Sequence, residues 1–154
     1  MVNRVYAIAE KGMWSEAAKR TSEAEIARLI GGGELAIARM DGRLVGSIHI
    51  HNLDEYIAEF GMLAAHPDCR GLGVGRELIS FAEKLSKSRG RKVIQLELLV
   101  PKDWVLESKV FLKAWYTRRG YRVVRQGNIN ETHPHLAHLI CTVCDFYIYH
   151  KTLT

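Results

Sequence analysis

The stretch AAHPDCRGLGVGREL, Ala64–Leu78, joins an apolar run to a helix-like run through three closely spaced glycines. A strand, a glycine-rich turn and a helix start leave several backbone N–H groups unpaired, with the positive end of the helix dipole behind them. Glycine lets the backbone approach a diphosphate without a Cβ in the way, and Arg70 and Arg76 add positive charge at the rim. We therefore predict an anion-binding turn, called the anion loop below, over the residues Arg70, Gly71, Leu72, Gly73, Val74, Gly75 and Arg76.

Two common phosphate motifs are excluded by the spacing of this loop. The ATP-binding P-loop ends in Gly-Lys-Ser/Thr, whereas here Gly75 is followed by Arg76 and Glu77. The dinucleotide fingerprint Gly-x-Gly-x-x-Gly does not fit either, because Gly71 and Val74 do not fall on its spacing. A different phosphate-bearing ligand is therefore expected.

Length and composition predict a single domain over residues 1–154. Apolar residues make up 47% and charged residues 25%, as in ordinary globular proteins, which disfavours disorder and membrane insertion. The opening residues MVNRVYAIAEKGMW mix charges with apolar positions and match neither a signal peptide nor a spanning helix, so we expect a cytoplasmic protein. The net charge of +5 fits a partner with several negative charges, and the three cysteines are expected to be thiols.

The part of the chain before the anion loop predicts two helices, a hairpin and a further strand. Helical spacing of apolar residues up to Met13 predicts a first helix that frays at Gly12. A second helix follows the capping-box pair Ser22 and Glu25 and stops at the glycines 31–33. The runs ELAIARM and RLVGSIHIH flank Asp41-Gly42, the pair typical of a type I′ hairpin turn. The third run, 56–65, contains Gly61, where a bulge is expected.

The part after the loop alternates helices and strands. A helix ends near Gly90, a strand over 92–100 stops at Pro101, and a helix over 107–120 carries Val110, Phe111, Ala114 and Trp115 on one face. Two last strands, 121–125 and 145–151, enclose a His-rich connection for which we expect a short helix. This mixture predicts an α/β fold with helices on the faces of one sheet.

The pattern Arg70-x-x-Gly73-x-Gly75 resembles the cofactor loop of the GNAT superfamily of acetyl-CoA-dependent N-acetyltransferases. Downstream, Tyr116, Gly120 and Tyr121 match the aromatic pair of that family, Tyr-x-x-x-Gly-Phe/Tyr, at the end of a helix. The order of predicted elements over about residues 22–151 is also similar to the GNAT fold. The resemblance implies a mixed, mostly antiparallel, twisted sheet flanked by helices.

The resemblance also implies roles for individual residues. In the family, pantetheine lies along a strand that is splayed at a bulge, which here corresponds to Leu63, Ala64 and Ala65, with the Leu63 N–H polarising the thioester carbonyl. The diphosphate of acetyl-CoA would lie on the anion loop. Glu59 is at the position of a catalytic glutamate in some members and is the expected base, while Tyr116 is the expected acid for the departing thiolate. The alternative for Glu59 is a strand carboxylate that faces solvent or pairs with a cation. The alternative for Tyr116 is a half-buried aromatic residue at the end of a helix.

Two departures from the family pattern leave alternatives open. The first strand of the family is either missing, which gives a shortened sheet, or supplied by Tyr6–Ala9. An asparagine that many members carry before the last long helix is replaced here by Ser108 and Lys109. Lys109 and Lys113 are either solvated or contacts for a CoA phosphate. An exposed sheet edge would favour a homodimer.

Several polar residues have competing interpretations. His49, His51 and His66 are lesser candidates for the base and are otherwise polar residues of strand edges. A second cluster has the residue types of a zinc site but lacks two well-separated ligand pairs, so no metal is predicted. Its members are His133, His135, His138, Cys141 and Cys144.

The sequence therefore predicts an enzyme that transfers acetyl from acetyl-CoA to a primary amine of a small molecule or peptide by direct attack, with no covalent intermediate on a cysteine. The alternative from another class is a non-catalytic regulatory module that binds CoA. Nucleic-acid binding is not expected, because the basic residues are scattered and no recognition motif is present. No membrane partner is expected either.

Overall fold

The computed structural model describes all 154 residues, Met1–Thr154, as six α-helices, six strands and one 3₁₀ helix. The helices are α1 (Val2–Ala9), α2 (Glu23–Gly31), α3 (Val74–Ser88), α4 (Glu107–Arg118), α5 (Ile129–Thr132) and α6 (Pro134–Ala137). The strands are β1 (Leu35–Met40), β2 (Arg43–Asn52), β3 (Ile57–Ala65), β4 (Val93–Pro101), β5 (Arg122–Gln126) and β6 (Cys144–Thr152). The 3₁₀ helix is Pro67–Cys69. No helix has the length and apolar composition that crossing a bilayer requires.

The strands form one sheet in the order β1-β2-β3-β4-β6-β5. The pairs β1 with β2, β2 with β3 and β5 with β6 are antiparallel. β3 and β4 begin side by side, because the N–H groups of Lys92 and Val93 both donate to the carbonyl of Tyr56, and α3 supplies the crossover that parallel strands need. The prediction of an α/β fold with a mixed, mostly antiparallel sheet is therefore confirmed.

Local sequence signals explain the first elements. The Ser22 side chain accepts a hydrogen bond from the Glu25 N–H, as the capping-box pattern predicts, and α2 ends at Gly31. Asp41 and Gly42 have positive φ values of 49° and 77°, which confirms the type I′ turn between β1 and β2.

The bulge in β3 lies one residue later than the glycine that predicted it. His49 pairs with Gly61 and Ser47 pairs with Ala64, so Met62 and Leu63 together oppose a single residue of β2. Met62 carries the strain of this bulge. Its φ is 46°, in a backbone region that residues other than glycine and asparagine rarely adopt.

The start of the chain is helical. Residues 6–9 belong to α1, so the alternative that Tyr6–Ala9 supplies a first strand is wrong and the sheet of this chain starts with β1. α1 ends at Ala9, earlier than the predicted end near Gly12. Met13 lies beyond the helix but is completely buried.

The chain divides into two compact units, and each is described by itself. Unit 1 consists of 1–6, 19–94 and 152–154, and unit 2 consists of 7–18 and 95–151. The first two residues of β4 belong to unit 1 and the rest to unit 2.

In unit 1, α3 packs against β2 and β3 at very short range. A Cβ on Gly46 would lie 2.7 Å from Val74 Cγ1 and 3.0 Å from the Ala64 carbonyl oxygen. Glycine is therefore required at position 46 for the helix to approach the sheet this closely. This contact fixes the first residue of α3, and with it the end of the anion loop.

In unit 2, the core is formed by Met13, Leu99, Phe146 and Ile148. The predicted apolar face of α4 is not the buried one, since Val110 and Phe111 are more than half exposed. The buried residues of α4 are Lys109 and Tyr116 instead.

Candidate active site

The anion loop forms a left-handed turn in front of α3. Gly71 and Gly73 have φ values of 80° and 81°, which is where glycine has no steric penalty. Gly73 is the N-cap of α3 and provides no side-chain acceptor. The N–H groups of the following residues, Val74, Gly75 and Arg76, belong to the first helical turn and have no acceptor within the helix. The loop therefore presents backbone donors at the positive end of a 15-residue helix.

The entry to the loop is held by short-range hydrogen bonds. The Arg70 N–H donates to the Pro67 carbonyl and the Leu72 N–H to the Cys69 carbonyl. His66 caps the 3₁₀ helix, because its Nδ1 accepts a hydrogen bond of 3.2 Å from the Asp68 N–H. His66 therefore helps to shape the loop.

The two arginines of the anion loop are exposed. The Arg76 guanidinium folds back over the loop, since a Cβ on Gly73 would lie 3.1 Å from Arg76 Nη2. Arg76 Nε is also 3.4 Å from Glu77 Oε1, and both side chains are largely exposed. Arg70 is exposed as well. These arginines are accessible to an anionic ligand.

The predicted pantetheine stretch lies at and after the β3 bulge. Leu63 is one of the two bulged residues, while Ala64 and Ala65 return to pairing with β2 opposite Ser47 and Gly46. Ala64 is buried and Leu63 is half-buried. The bulge interrupts the ladder at Leu63.

Glu59 lies on β3 directly opposite His51 of β2. Its carboxylate oxygen Oε1 is 3.6 Å from His51 Nε2, and its side chain is only 12% exposed. Its neighbour on the same face of the strand is Gly61, where an added Cβ would meet no atom within 4 Å. A largely buried carboxylate beside open space has the surroundings that a proton acceptor needs.

A second acid–histidine pair lies next to this one in unit 1. Glu34 Oε2 is 2.9 Å from His49 Nε2, and this hydrogen bond is the main cause that holds the pKa of Glu34 below its ordinary value. The rings of His49 and His51 are stacked, with centroids 4.6 Å apart and planes 13° apart. Sequence reasoning named both histidines but missed Glu34, whose position before β1 gave no pattern.

Tyr116 lies in unit 2, on the buried side of α4. Its side chain is among the aromatic rings of Trp115, Tyr121 and Tyr149, at centroid distances of 5.4, 5.9 and 6.4 Å. The predicted aromatic pair is therefore in contact, with the rings of Tyr116 and Tyr121 edge to face.

Lys109 is buried. The two alternatives predicted for it, a solvated lysine and a contact for a CoA phosphate, are therefore both wrong. Its Nζ is 2.5 Å from Glu10 Oε1, and both side chains are about 95% buried. Glu10 Oε2 accepts a second hydrogen bond from Trp14 Nε1, at 2.6 Å. Ser108 Oγ donates to the Ala9 carbonyl. The seven-residue spacing of Lys109 and Tyr116, which places them on one helix face, was the signal available in the sequence.

The His and Cys residues of the β5–β6 connection do not gather into a metal-binding group. All three cysteines are free thiols, as predicted. His133 Nε2 instead lies 2.6 Å from Glu97 Oε2 of β4, and its ring meets Phe146 edge to face. The predicted short helix is present as α5 and α6.

Unit 2 also contains an open cavity of about 470 Å³ beside this connection. Its polar lining side chains are Asn128, Asn130, Thr142 and Cys144. Burial is the main cause that raises the pKa of the Cys144 thiol to about 11.

Comparison with known proteins points to one family. The family described as acetyltransferase (GNAT) matches residues 3–121. A search of curated proteins found no match.

Solved structures show the same fold at low identity. An aminoglycoside 6'-N-acetyltransferase complexed with coenzyme A is 18% identical, with a TM-score of 0.69 over 99% of this chain and 89% of its own. Ard1 from Thermoplasma volcanium is 17% identical, with a TM-score of 0.69 over 99% and 91%. A GNAT family acetyltransferase from Elizabethkingia anophelis with acetyl-CoA bound is 18% identical, with a TM-score of 0.65 over 86% and 84%.

Proposed function

We propose that this chain, which belongs to the acetyltransferase (GNAT) family, transfers the acetyl group of acetyl-CoA to a primary amine of a small molecule or peptide. The anion loop is the observation that carries the proposal. Its cap, Gly73, has no side chain to occupy the first-turn N–H groups of α3, and Arg70 and Arg76 flank it. This arrangement suits a diphosphate, the charged centre of coenzyme A. Four of the similar solved structures carry acetyl-CoA or coenzyme A.

The strand before the loop is the proposed site for the pantetheine arm. The bulge at Met62 and Leu63 interrupts ordinary pairing, and a ligand with amide groups can bond to strand backbone as an additional strand would. In this proposal Leu63, Ala64 and Ala65 bind through backbone atoms, and the Leu63 N–H polarises the thioester carbonyl.

Glu59 is the proposed proton acceptor. A primary amine with a pKa near about 10 is mostly protonated at neutral pH, so a base must remove one proton before the nitrogen can attack. The amine then attacks the thioester carbonyl directly, and the C–S bond breaks as the tetrahedral intermediate collapses. Glu59 fits the task because its carboxylate is 12% exposed and lies beside the open space at Gly61.

Tyr116 is the proposed proton donor to the departing thiolate. Its hydroxyl proton passes to the sulfur as the C–S bond breaks, and the phenolate regains a proton from the N-protonated amide that this collapse leaves. The balance is then one amide, one CoA thiol and one proton released to solvent. The surrounding rings of Trp115, Tyr121 and Tyr149 fix the side chain in one position.

Two measurements on the intact chain test the proposal. Calorimetry with acetyl-CoA tests binding, and thiol release against a panel of polyamines, aminosugars, amino acids and peptides tests transfer. We expect binding in the micromolar range and turnover of at least one amine. Glu59→Gln is expected to lower kcat about 100-fold and Tyr116→Phe about 10-fold or more, because each removes a proton-transfer group.

Matched variants separate these roles from general damage. Glu55→Gln removes an exposed carboxylate four residues before Glu59, and Tyr149→Phe removes a buried hydroxyl from the same aromatic group as Tyr116. Both should retain kcat within about threefold. Binding of acetyl-CoA without thiol release from any amine would instead identify a non-catalytic CoA-binding module. Full turnover of Glu59→Gln and Tyr116→Phe over a wide pH range would refute the two role assignments.

A further inference from the structure

We propose that Glu34, His49, His51 and Glu59 form one proton-accepting unit, in which His51 takes the proton that Glu59 removes from the amine. This inference rests on the proposed function. Glu59 is the catalytic residue of the unit, and the other three are positioning residues that act through it.

The strand register places the four residues in one row. His49 and His51 are two residues apart on β2, so their side chains lie on the same face. His51 is directly opposite Glu59 of β3, and His49 is opposite Gly61. On the other side of β2, Leu35 of β1 is paired with His49, which brings Glu34 to the ring of His49. The row therefore runs from the residue before β1 across β2 to β3.

The contacts along this row are continuous. Glu34 Oε2 lies 2.9 Å from His49 Nε2, the two imidazole rings are stacked at 4.6 Å, and His51 Nε2 lies 3.6 Å from Glu59 Oε1. A direct hydrogen bond between His51 and Glu59 needs the two atoms to close by about 0.7 Å, and one bridging water is the alternative. A change of charge at Glu34 should therefore alter the electrostatic environment of Glu59, and the reverse.

The exposure of the side chains favours movement of a proton from Glu59 towards His51 and solvent. Glu59 is the most buried member at 12%, whereas His51 is 29% and Glu34 is 34% exposed. A proton that reaches His51 can therefore pass to solvent more readily than one held on Glu59. Gly61 leaves the space beside His49 and Glu59 open, since an added Cβ would meet no atom within 4 Å.

The proposed steps balance as follows. An N–H bond of the ammonium breaks and an O–H bond forms on Glu59. That O–H bond then breaks and an N–H bond forms on His51 Nε2, which gives an imidazolium. The imidazolium releases its proton to water, so that Glu59 and His51 are restored for the next turnover.

Charged groups face the histidine pair from several elements. Glu34 faces it from the residue before β1, and Glu59 faces it from β3. Arg28 of α2 also lowers the pKa of Glu34, which helps to keep that carboxylate charged. Positive charges on both rings at once would repel each other, because the rings are stacked at 4.6 Å.

The test measures kcat and kcat/KM between pH 5.5 and 10, with the best amine of the panel, for the wild type and three variants. His51→Gln is expected to lower kcat about 10-fold while the KM for acetyl-CoA changes less than about twofold. His49→Gln and Glu34→Gln are expected to move the acidic limb of the kcat/KM profile. For Glu34→Gln the limb moves because the carboxylate that contacts His49 is lost.

Glu23→Gln is the matched control. It removes an exposed carboxylate from the first turn of α2, outside the row, and should leave the limb in place. A structural defect would lower activity at every pH without moving the limb. The inference is overturned if Glu34→Gln and Glu23→Gln both give the wild-type profile, or if His51→Gln keeps full kcat.

NMR spectra of the imidazole protons separate this inference from the proposed function. Assignment uses His49→Gln and His51→Gln, and the expected result is that Glu34→Gln and Glu59→Gln each change the ring chemical shifts of both histidines. If each variant changes only the ring that it contacts, or neither ring, the four residues are not one unit, even where the enzyme is active. If they are coupled but no amine is acetylated, the proposed function fails, and the proton-acceptor role fails with it.

Discussion

Lys109 Nζ lies 2.5 Å from Glu10 Oε1, and both side chains are almost completely buried although 99 residues separate them along the chain. The pair ties the segment after α1 to the start of α4 within unit 2. Trp14 Nε1 satisfies the second carboxylate oxygen of Glu10, and Ser108 Oγ donates to the Ala9 carbonyl beside it. Such a network fixes geometry, because each charge is satisfied only in one arrangement.

Removal of one partner should destabilise the protein strongly. Lys109→Met leaves the Glu10 carboxylate buried without its counter-charge, so we expect the free energy of unfolding to fall by about 3 to 5 kcal/mol. Lys102→Met, an exposed lysine of unit 2, is the matched control and should change it by less than about 0.5 kcal/mol. Urea denaturation followed by circular dichroism measures both. Equal stability of the two variants would show that the ion pair is not coupled to folding.

A structural feature could be predicted from the sequence when the residues that determine it are close together in the chain. The α2 cap at Ser22 and the turn at Asp41-Gly42 were predicted correctly, because each is determined by residues within four positions. The β3 bulge was predicted at Gly61 but lies at Met62, since its place depends on the register with β2. The local sequence around Gly61 indicates that a bulge occurs, whereas the register between β2 and β3 determines at which residue it lies.

The errors in the candidate site have the same origin. Lys109 was interpreted as solvated or CoA-bound because its partner, Glu10, is far away in sequence, and so the wrong face of α4 was expected to be apolar and packed. The anion loop and the Tyr116–Tyr121 contact were predictable, because their glycines and aromatic residues are close together in the chain. The row from Glu34 to Glu59 runs from the residue before β1 across β2 to β3 and becomes visible only once these strands are paired.

The close approach of α3 to β2 gives a second prediction. Gly46→Ala would place a Cβ 2.7 Å from Val74 Cγ1 and 3.0 Å from a backbone oxygen that cannot move aside easily. We expect a loss of about 1 to 3 kcal/mol in unfolding free energy, since overpacking forces the helix away from the sheet. Gly61→Ala, on the adjacent strand, meets no atom within 4 Å and should cost less than about 1 kcal/mol. Thermal and urea unfolding of both variants check the difference, and similar values would contradict the packing explanation.

The backbone of the anion loop gives a third prediction. Gly73→Ala forces a Cβ into a conformation with φ of 81°, which costs about 1 to 2 kcal/mol, and it crowds Arg76 Nη2. Relaxation of this strain should disturb the N–H groups of the loop and raise the Kd for acetyl-CoA about 10-fold. Gly33→Ala is the matched control, because Gly33 has a φ of 67° and open space but lies outside the loop. Calorimetry should find the control destabilised but with wild-type affinity. An unchanged Kd in Gly73→Ala would argue against the loop as the diphosphate site.

The fourth prediction concerns Cys141, in the β5–β6 connection, and Cys144, the first residue of β6. Burial raises the pKa of Cys144 to about 11, so that at pH 8 only about one molecule in a thousand carries its thiolate, whereas Cys141 is exposed. We expect iodoacetamide to modify Cys141 first at pH 8, and the rate at Cys144 to rise about 10-fold for each pH unit up to pH 10, because the thiolate is the nucleophile. Peptide mass spectrometry over a time course measures each site separately. In 8 M urea the two rates should converge, since unfolding removes the burial that causes the difference. Equal rates at pH 8 in the folded protein would show that Cys144 is accessible and ionises normally.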